Sequence, residues 1–259
     1  MGFVETTDAK LYWQADGEPS HPAVMFLNSL GTSLSMWDGV VAQLKDRFCI
    51  IRMDTRGHGK SQVTPGDYSM EMLAADALAV LDAAGLQKAH ICGLSMGALV
   101  ASHLAARHRD KVDRLALCNI VTEVNFADWE QRANLVRQSG MAAIADAVIS
   151  RFFSPAFLES GDGRVELALS ELKATDPQGY AACCIAIGRA EVLPASLGDN
   201  APPLLSIGGA NDMAAPPENA RKIAASVAGG RVKVLDTGHL SATEDPHGFS
   251  RELASYLAG

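Results

Sequence analysis

The chain lacks any apolar run near the ~18 residues that a membrane-spanning helix needs, so no span is expected among its 259 residues. Cysteine is scarce and odd in number, five in all, which excludes a small disulfide-stapled fold. No dense Lys/Arg cluster occurs, and the net charge is −8. A nucleic-acid binder needs a basic face to displace counterions, and an acidic surface offers nothing to anionic lipid. Neither nucleic acid nor membrane is therefore an expected partner. The same charge repels anionic ligands at long range, so one that binds needs a local cation in its pocket. The N-terminus shows no basic segment followed by an apolar one, hence no secretory signal. Gly2 and Thr6 fit the loose myristoylation pattern, read here as a chance match ahead of an edge strand. Free thiols without a signal point to the cytoplasm. Nothing in the sequence distinguishes a monomer from a homo-oligomer.

What is present is an ordinary globular composition, 48% hydrophobic and 20% charged, too apolar for a disordered chain. A chain this long folds to roughly 11,000 Å² of surface against roughly 40,000 Å² unfolded, enough for one sizeable core. Short apolar runs at 23–27, 49–53, 89–92, 115–118, 204–207 and 232–235 predict buried strands. Helix-period stretches at 36–44, 70–84, 97–108 and 219–227 separate them, and 247–257 closes the chain. Strands that are apolar throughout, alternating with helices, predict a mostly parallel α/β sheet covered by helices. Residues 2–5 and 11–15 predict an antiparallel entry hairpin. Between 121 and 196 no convincing strand occurs; 126–139, 141–153, 164–174 and 179–189 all predict helices. The expectation is a core of 1–120 and 197–259 carrying a helical lid of 121–196, bounded on the C-terminal side by the Pro/Gly-rich stretch 194–203.

The sharpest local signal is Gly-Leu-Ser-Met-Gly at 93–97, between the apolar run 89–92 and a helical pattern. A nucleophilic serine needs that context: a tight strand-to-helix turn that pushes its Oγ out of the sheet, with glycines that let backbone pack closely. Ser95 is the candidate nucleophile, and the Met96 N–H at the new helix start is a candidate oxyanion donor. Serine is a weak nucleophile without a base. Of the four histidines after Ser95, His103 and His108 lie on the helix behind the elbow and His247 in the last helix. His239 follows the run 232–235, where a parallel sheet places catalytic loops, and is the favoured base. The acid, which holds the imidazole tautomer, should follow the preceding strand. Asp212 is favoured there, with Asp236 as its rival. The loop Asn-Ser-Leu-Gly-Thr at 28–32 offers the N–H of Leu30 as the second oxyanion donor. Asn28 and Ser29 either order that loop or bond a polar substrate.

The set Leu-Asn-Ser-Leu-Gly-Thr, Asp-Thr-Arg-Gly-His-Gly-Lys-Ser (54–61), Gly-Leu-Ser-Met-Gly and Gly-His-Leu-Ser-Ala-Thr-Glu-Asp-Pro resembles the α/β-hydrolase superfamily. Within it the chain is similar to 3-oxoadipate enol-lactonases. Three features carry the closer likeness: the oxyanion loop followed by Met36-Trp37-Asp38, Trp129 and Arg132 ahead of Arg-Gln-Ser-Gly-Met-Ala-Ala-Ile-Ala-Asp-Ala, and Asp-Pro-Gln-Gly-Tyr-Ala-Ala-Cys-Cys-Ile-Ala-Ile at 176–187. The sequence departs from the family pattern before Asp212, and at Arg-Phe-Phe-Ser-Pro (151–155), where a Trp is expected. The resemblance implies hydrolysis of a small carboxylate-bearing lactone by a Ser95–His239–Asp212 triad, in aromatic-compound degradation, with no metal or organic cofactor. Trp129 and Arg132 are spaced i, i+3 and share a helix face. Either they face the substrate, Trp129 on its ring and Arg132 on its carboxylate, or they are a packing Trp and a solvated Arg. The resemblance favours the first for Trp129. Arg132, Arg151 and Arg189 all stay open as the cation that meets the substrate acid.

Other readings fit less well. Gly59-Lys60-Ser61 ends like a P-loop, but Asp54 stands where its first glycine belongs. Cys183-Cys184 has neither a redox nor a metal-ligand spacing and reads as a pair of buried thiols. Alternatives that keep the triad are a general carboxylesterase or perhydrolase, and a small-molecule receptor built on a hydrolase scaffold.

Overall fold

The computed structural model describes residues 1–191 and 201–259. The expected boundary of lid and core at 196–197 lies outside the described residues. Eight strands form one sheet: β1 (Gly2–Glu5), β2 (Lys10–Asp16), β3 (Ala23–Leu27), β4 (Cys49–Met53), β5 (Ala89–Leu94), β6 (Val112–Cys118), β7 (Leu204–Gly209) and β8 (Arg231–Leu235). Their order is β1-β2-β4-β3-β5-β6-β7-β8. The entry hairpin β1–β2 is antiparallel and joins β4 antiparallel, while every other pairing is parallel. The total accessible surface, 10698 Å², matches the expectation from length.

Helices α1 (Asp38–Leu44), α2 (Met70–Ala83), α3 (Met96–Arg107), α9 (Pro217–Ala225), α10 (Ser241–Glu244) and α11 (Pro246–Leu257) flank the sheet. Between β6 and β7 the described residues form only helices: α4 (Phe126–Ser139), α5 (Ala145–Phe152), α6 (Pro155–Glu159), α7 (Gly163–Ala174) and α8 (Pro177–Gly188). The predicted single helix over 141–153 is instead a 3₁₀ turn, Met141–Ala143, followed by α5. Of the insertion helices, α4, α6, α7 and α8 start on a side-chain cap and α5 does not. Asn125 accepts from the Ala127 N–H, Asp162 from Arg164, and Asp176 from Gln178 and Gly179. Pro177 at the first helical position adds a preset φ. The Asp-Pro-Gln-Gly motif is thus a helix start.

Two expectations about single elements need correction. The run 232–235 is not a buried strand: the first four residues of β8 are exposed, because β8 is the sheet edge and has a neighbour on one side only. Strand β6 begins three residues earlier than its apolar run, since Val112 pairs with Ala89.

Chain order reverses across the sheet at β3, which pairs with β4 on one side and β5 on the other. Leu27 lies opposite Gly93, so the loop after β3 and the turn after β5 leave the sheet side by side. A crevice opens at such a reversal, beyond the carboxyl ends of the strands.

Candidate active site

Ser95 sits on the turn from β5 into α3 with φ 56 and ψ −116. A positive φ is uncommon outside glycine and marks a backbone held in place by its surroundings. Here the surroundings are close backbone contacts. A Cβ on Gly93 would lie 2.1 Å from the Gly97 carbonyl oxygen, and one on Gly97 would lie 2.1 Å from that of Leu27. The two glycines let α3 begin almost on top of β3 and β5. The Ser95 N–H donates to the Cys118 carbonyl at 2.9 Å, tying the turn to the end of β6.

Three side chains distant in sequence meet at this rim. His239 Nε2 lies 2.8 Å from Ser95 Oγ, and His239 Nδ1 lies 2.8 Å from Asp212 Oδ2. Asp212 and His239 are both buried. The other Asp212 oxygen accepts from the N–H groups of Ala214 and Ala215, each at 2.8 Å. Asp236 does not reach the imidazole; its carboxylate accepts from Asn211 Nδ2 at 2.9 Å on the surface. His247 is exposed on α11. Among the described residues no group of three or more His, Cys, Asp or Glu side chains is placed to hold a metal ion.

The loop after β3 is held from behind. Asn28 is buried, with Nδ2 donating to the Met53 carbonyl at 2.7 Å and Oδ1 accepting from the Trp37 indole N–H at 2.9 Å. Both ends of its amide are engaged with the frame, which orders the loop. Next to it, His58 accepts from the Gly31 N–H at 3.1 Å through Nε2, and its Nδ1 faces the Arg56 carbonyl at 3.3 Å. Full burial pushes the His58 imidazole down to about 4, so the ring is neutral with its proton on Nδ1. Arg56 is itself anchored by Asp76 and Asp8 at 2.6 and 2.7 Å. The N–H groups of Leu30 and Met96 bond no other described group, which leaves both free to donate.

Over Ser95 lies a cavity of about 340 Å³. The core supplies Ser29, Leu30, Ser95 and His239; the insertion supplies Trp129, Arg132, Arg151 and Tyr180. Both residues of the i, i+3 pair thus face the cavity, and the Arg132 guanidinium lies 4.9 Å from the Trp129 ring centre. Arg189 lines no part of it and stacks instead on Phe126 beside Asp67. Among the described residues no carboxylate lines the cavity, and its walls carry two cations, Arg132 and Arg151. Tyr180 was not legible as a site residue: its motif reads as a capped helix, and only packing brings the phenol against Arg132. Burial pushes that phenol well above its ordinary value, with Arg132 acting against the rise.

The insertion is locked to the histidine loop. Glu244 accepts from the N–H groups of Gly238 and Ser154 at 2.9 and 3.0 Å, and from the Ser154 hydroxyl at 2.5 Å. The Leu240 N–H donates to the Phe152 carbonyl at 2.7 Å, and the Phe152 ring stacks beside His239.

A fold of this order with a serine elbow, an imidazole and a carboxylate at its rim defines a class, and comparison with known proteins agrees. Residues 22–246 match the model of the alpha/beta hydrolase fold family, and the chain belongs to that family. It is 33% identical to 3-oxoadipate enol-lactonase 2 of Acinetobacter baylyi over 96% of this chain and 94% of that protein. Among solved structures, it is similar to an enol-lactonase from Burkholderia xenovorans LB400, with TM-score 0.95, 36% identity and coverage of 99% and 100% of the two chains. A thermophilic esterase from Thermogutta terrifontis, solved with malate bound, matches with TM-score 0.93 and 26% identity over 99% and 97%. Family and relatives together support a hydrolase. No helix among the described residues is long and apolar enough to cross a membrane.

Proposed function

We propose that the protein hydrolyses a small carboxylate-bearing enol-lactone, 3-oxoadipate enol-lactone, to 3-oxoadipate. The observation that carries the reading is the 2.8 Å contact of Ser95 Oγ with His239 Nε2 at the floor of a cavity walled by Arg132 and Arg151. A cavity lined by two cations, with no carboxylate among the described residues, fits an anionic substrate on an acidic protein. Enol-lactonase relatives along nearly the whole chain support the lactone, and malate in the esterase neighbour supports a carboxylate.

In the proposed reaction His239 takes the Ser95 proton as Oγ attacks the lactone carbonyl. Asp212 holds the imidazole tautomer and stabilises the imidazolium. The Met96 and Leu30 N–H groups receive the oxyanion; losing one such donor typically costs about 3–4 kcal/mol. The C–O bond of the ring breaks toward an enolate, which takes the proton from the His239 imidazolium, stays on the acyl chain and ends as the ketone, leaving the imidazole neutral. His239 then activates water, which cleaves the acyl-serine ester and releases the acid. Trp129 packs on the ring and Arg132 meets the substrate carboxylate; Ser29 lines the wall beside the oxyanion loop. No metal or organic cofactor enters this scheme, and the expected setting is a cytoplasmic pathway of aromatic degradation.

The test is incubation with enzymatically generated enol-lactone, followed by loss of its ultraviolet absorbance, beside a panel of neutral phenyl and alkyl esters. A kcat/KM far higher for the lactone supports the proposal. Indifference between lactone and neutral ester would favour a general carboxylesterase, the reading to which the esterase neighbour points.

A further inference from the structure

Asn119 follows β6 and has φ 49. It is one of two non-glycine residues with positive φ among the described residues, the other being Ser95. Its side chain is buried and its Nδ2 donates to Asp212 Oδ2 at 3.0 Å. That is the same oxygen that faces His239 Nδ1. A longer contact, 3.4 Å, runs from Nδ2 to the carbonyl of Gly238, the residue before His239. Its backbone N–H donates to the Ile207 carbonyl at 2.8 Å on β7.

A carboxylate accepts and cannot donate, so the amide must turn its NH₂ toward Asp212. The Ser241 hydroxyl enforces that turn by donating to Asn119 Oδ1 at 2.6 Å. Ser241 is fully buried and lies two residues past His239. A flipped amide would set an oxygen against the carboxylate and leave the Ser241 proton without its acceptor, a poor exchange in a low-dielectric interior. The chain Ser241–Asn119–Asp212–His239–Ser95 is thus directional and closes between three loops. Two backbone N–H groups hold Asp212 Oδ1. Among the described residues Asn119 is the one side chain besides His239 that bonds Oδ2.

We infer that Asn119 is a positioning residue for the hydrolytic centre, and that Ser241 sets the orientation of its amide. Asn119 acts through Asp212: it stops the carboxylate from rotating off the imidazole and disperses its charge in a buried site. The inference rests on the Ser95–His239–Asp212 reading above but not on the lactone. The left-handed backbone supplies a means of separating roles. Glycine adopts φ 49 more readily than asparagine, so Asn119→Gly keeps the turn and removes only the amide.

The test uses the full chain and two readouts, the rate at which a fluorophosphonate probe labels Ser95 and kcat and KM for 4-nitrophenyl acetate. Asn119→Gly should fold but melt somewhat below wild type, since Ser241 and Asp212 each lose a buried partner, and it should label and turn over about 10–100-fold more slowly, with KM nearly unchanged. Asn119→Asp, also tolerant of positive φ, should lose more, since it sets a second carboxylate against Asp212. Ser241→Ala should lose about 3–10-fold. An Asn119→Gly protein with undiminished labelling and kcat overturns the inference and reduces Asn119 to a turn residue. If Asn119→Gly fails to fold, Ser241→Ala decides, because its backbone is undisturbed: no loss overturns the inference and a loss supports it. Wild-type protein that is not labelled at Ser95 overturns the triad reading, and this inference with it.

Discussion

The guanidinium of Arg132 lies over the indole of Trp129, one helical turn away, at 4.9 Å from the ring centre. That stacking holds a long, flexible cation against the cavity wall. Arg132→Ala should therefore raise KM for the anionic lactone about tenfold or more and leave KM for a neutral phenyl ester nearly unchanged. Steady-state kinetics on both substrates checks this, and equal effects on the two would assign Arg132 a packing role alone.

Asp212 and Asp236 make opposite predictions. Asp212→Asn keeps the shape of the site but loses the carboxylate that fixes the His239 tautomer, and kcat should fall about 10⁴-fold. Asp236→Asn removes only a surface charge, its amide oxygen still able to accept from Asn211, and should leave kcat within about twofold. A reversed order would reassign the acid.

His58 makes stability depend on pH. Its folded-state value, about 4, lies below the ordinary histidine value of about 6.5. Between those limits the unfolded chain binds a proton that the folded chain does not, so stability falls as pH drops. The contribution is fully present above about pH 6.5 and lost progressively toward pH 4, on the order of 3 kcal/mol. Urea unfolding at several pH values should show this slope in the wild type and a shallower one in His58→Gln, whose amide oxygen can still accept from Gly31. Equal slopes would remove His58 as the cause.

Gly97→Ala should destabilise the chain by at least about 3 kcal/mol, because the added methyl would meet the Leu27 carbonyl at 2.1 Å and neither backbone has room to shift. Thermal denaturation measures this. A melting temperature within about 2 °C of wild type would show that the contact can relax.

All five cysteines are buried, and desolvation raises the Cys49, Cys92 and Cys183 thiols and pushes Cys184 up to about 12. Ellman's reagent should find almost no reactive thiol in the folded protein and all five after denaturation. Fast reaction of a native thiol would contradict that burial.

The parallel sheet was legible because its strands are apolar on both faces and carry no alternation, and Ser95 because a glycine on either side of it admits backbone contacts that no other residue allows. His239 and Asp212 could be found from chain order and strand ends. The roles of Asn119 and Tyr180 were not legible, and for Asn28 loop ordering and substrate bonding both stayed open. Each is set by partners distant in sequence, Met53 and Trp37 for Asn28 and Asp212 and Ser241 for Asn119, and no local period encodes such pairings. One trace of Asn119 was available: a polar side chain ending the run Leu-Ala-Leu-Cys, at the carboxyl end of a central strand, where a sheet of this kind exposes its site. Strand β8 was misread as buried because valines at 232 and 234 look like core, whereas edge position is a property of the assembled sheet.

The most direct measurement compares wild type with Ser95→Ala on enol-lactone, at matched folding by circular dichroism, following absorbance loss under multiple turnover. The wild type should hydrolyse the lactone steadily and the variant should lose several orders of magnitude in kcat. Near-equal rates for the two proteins would mean that this hydroxyl does not carry the reaction.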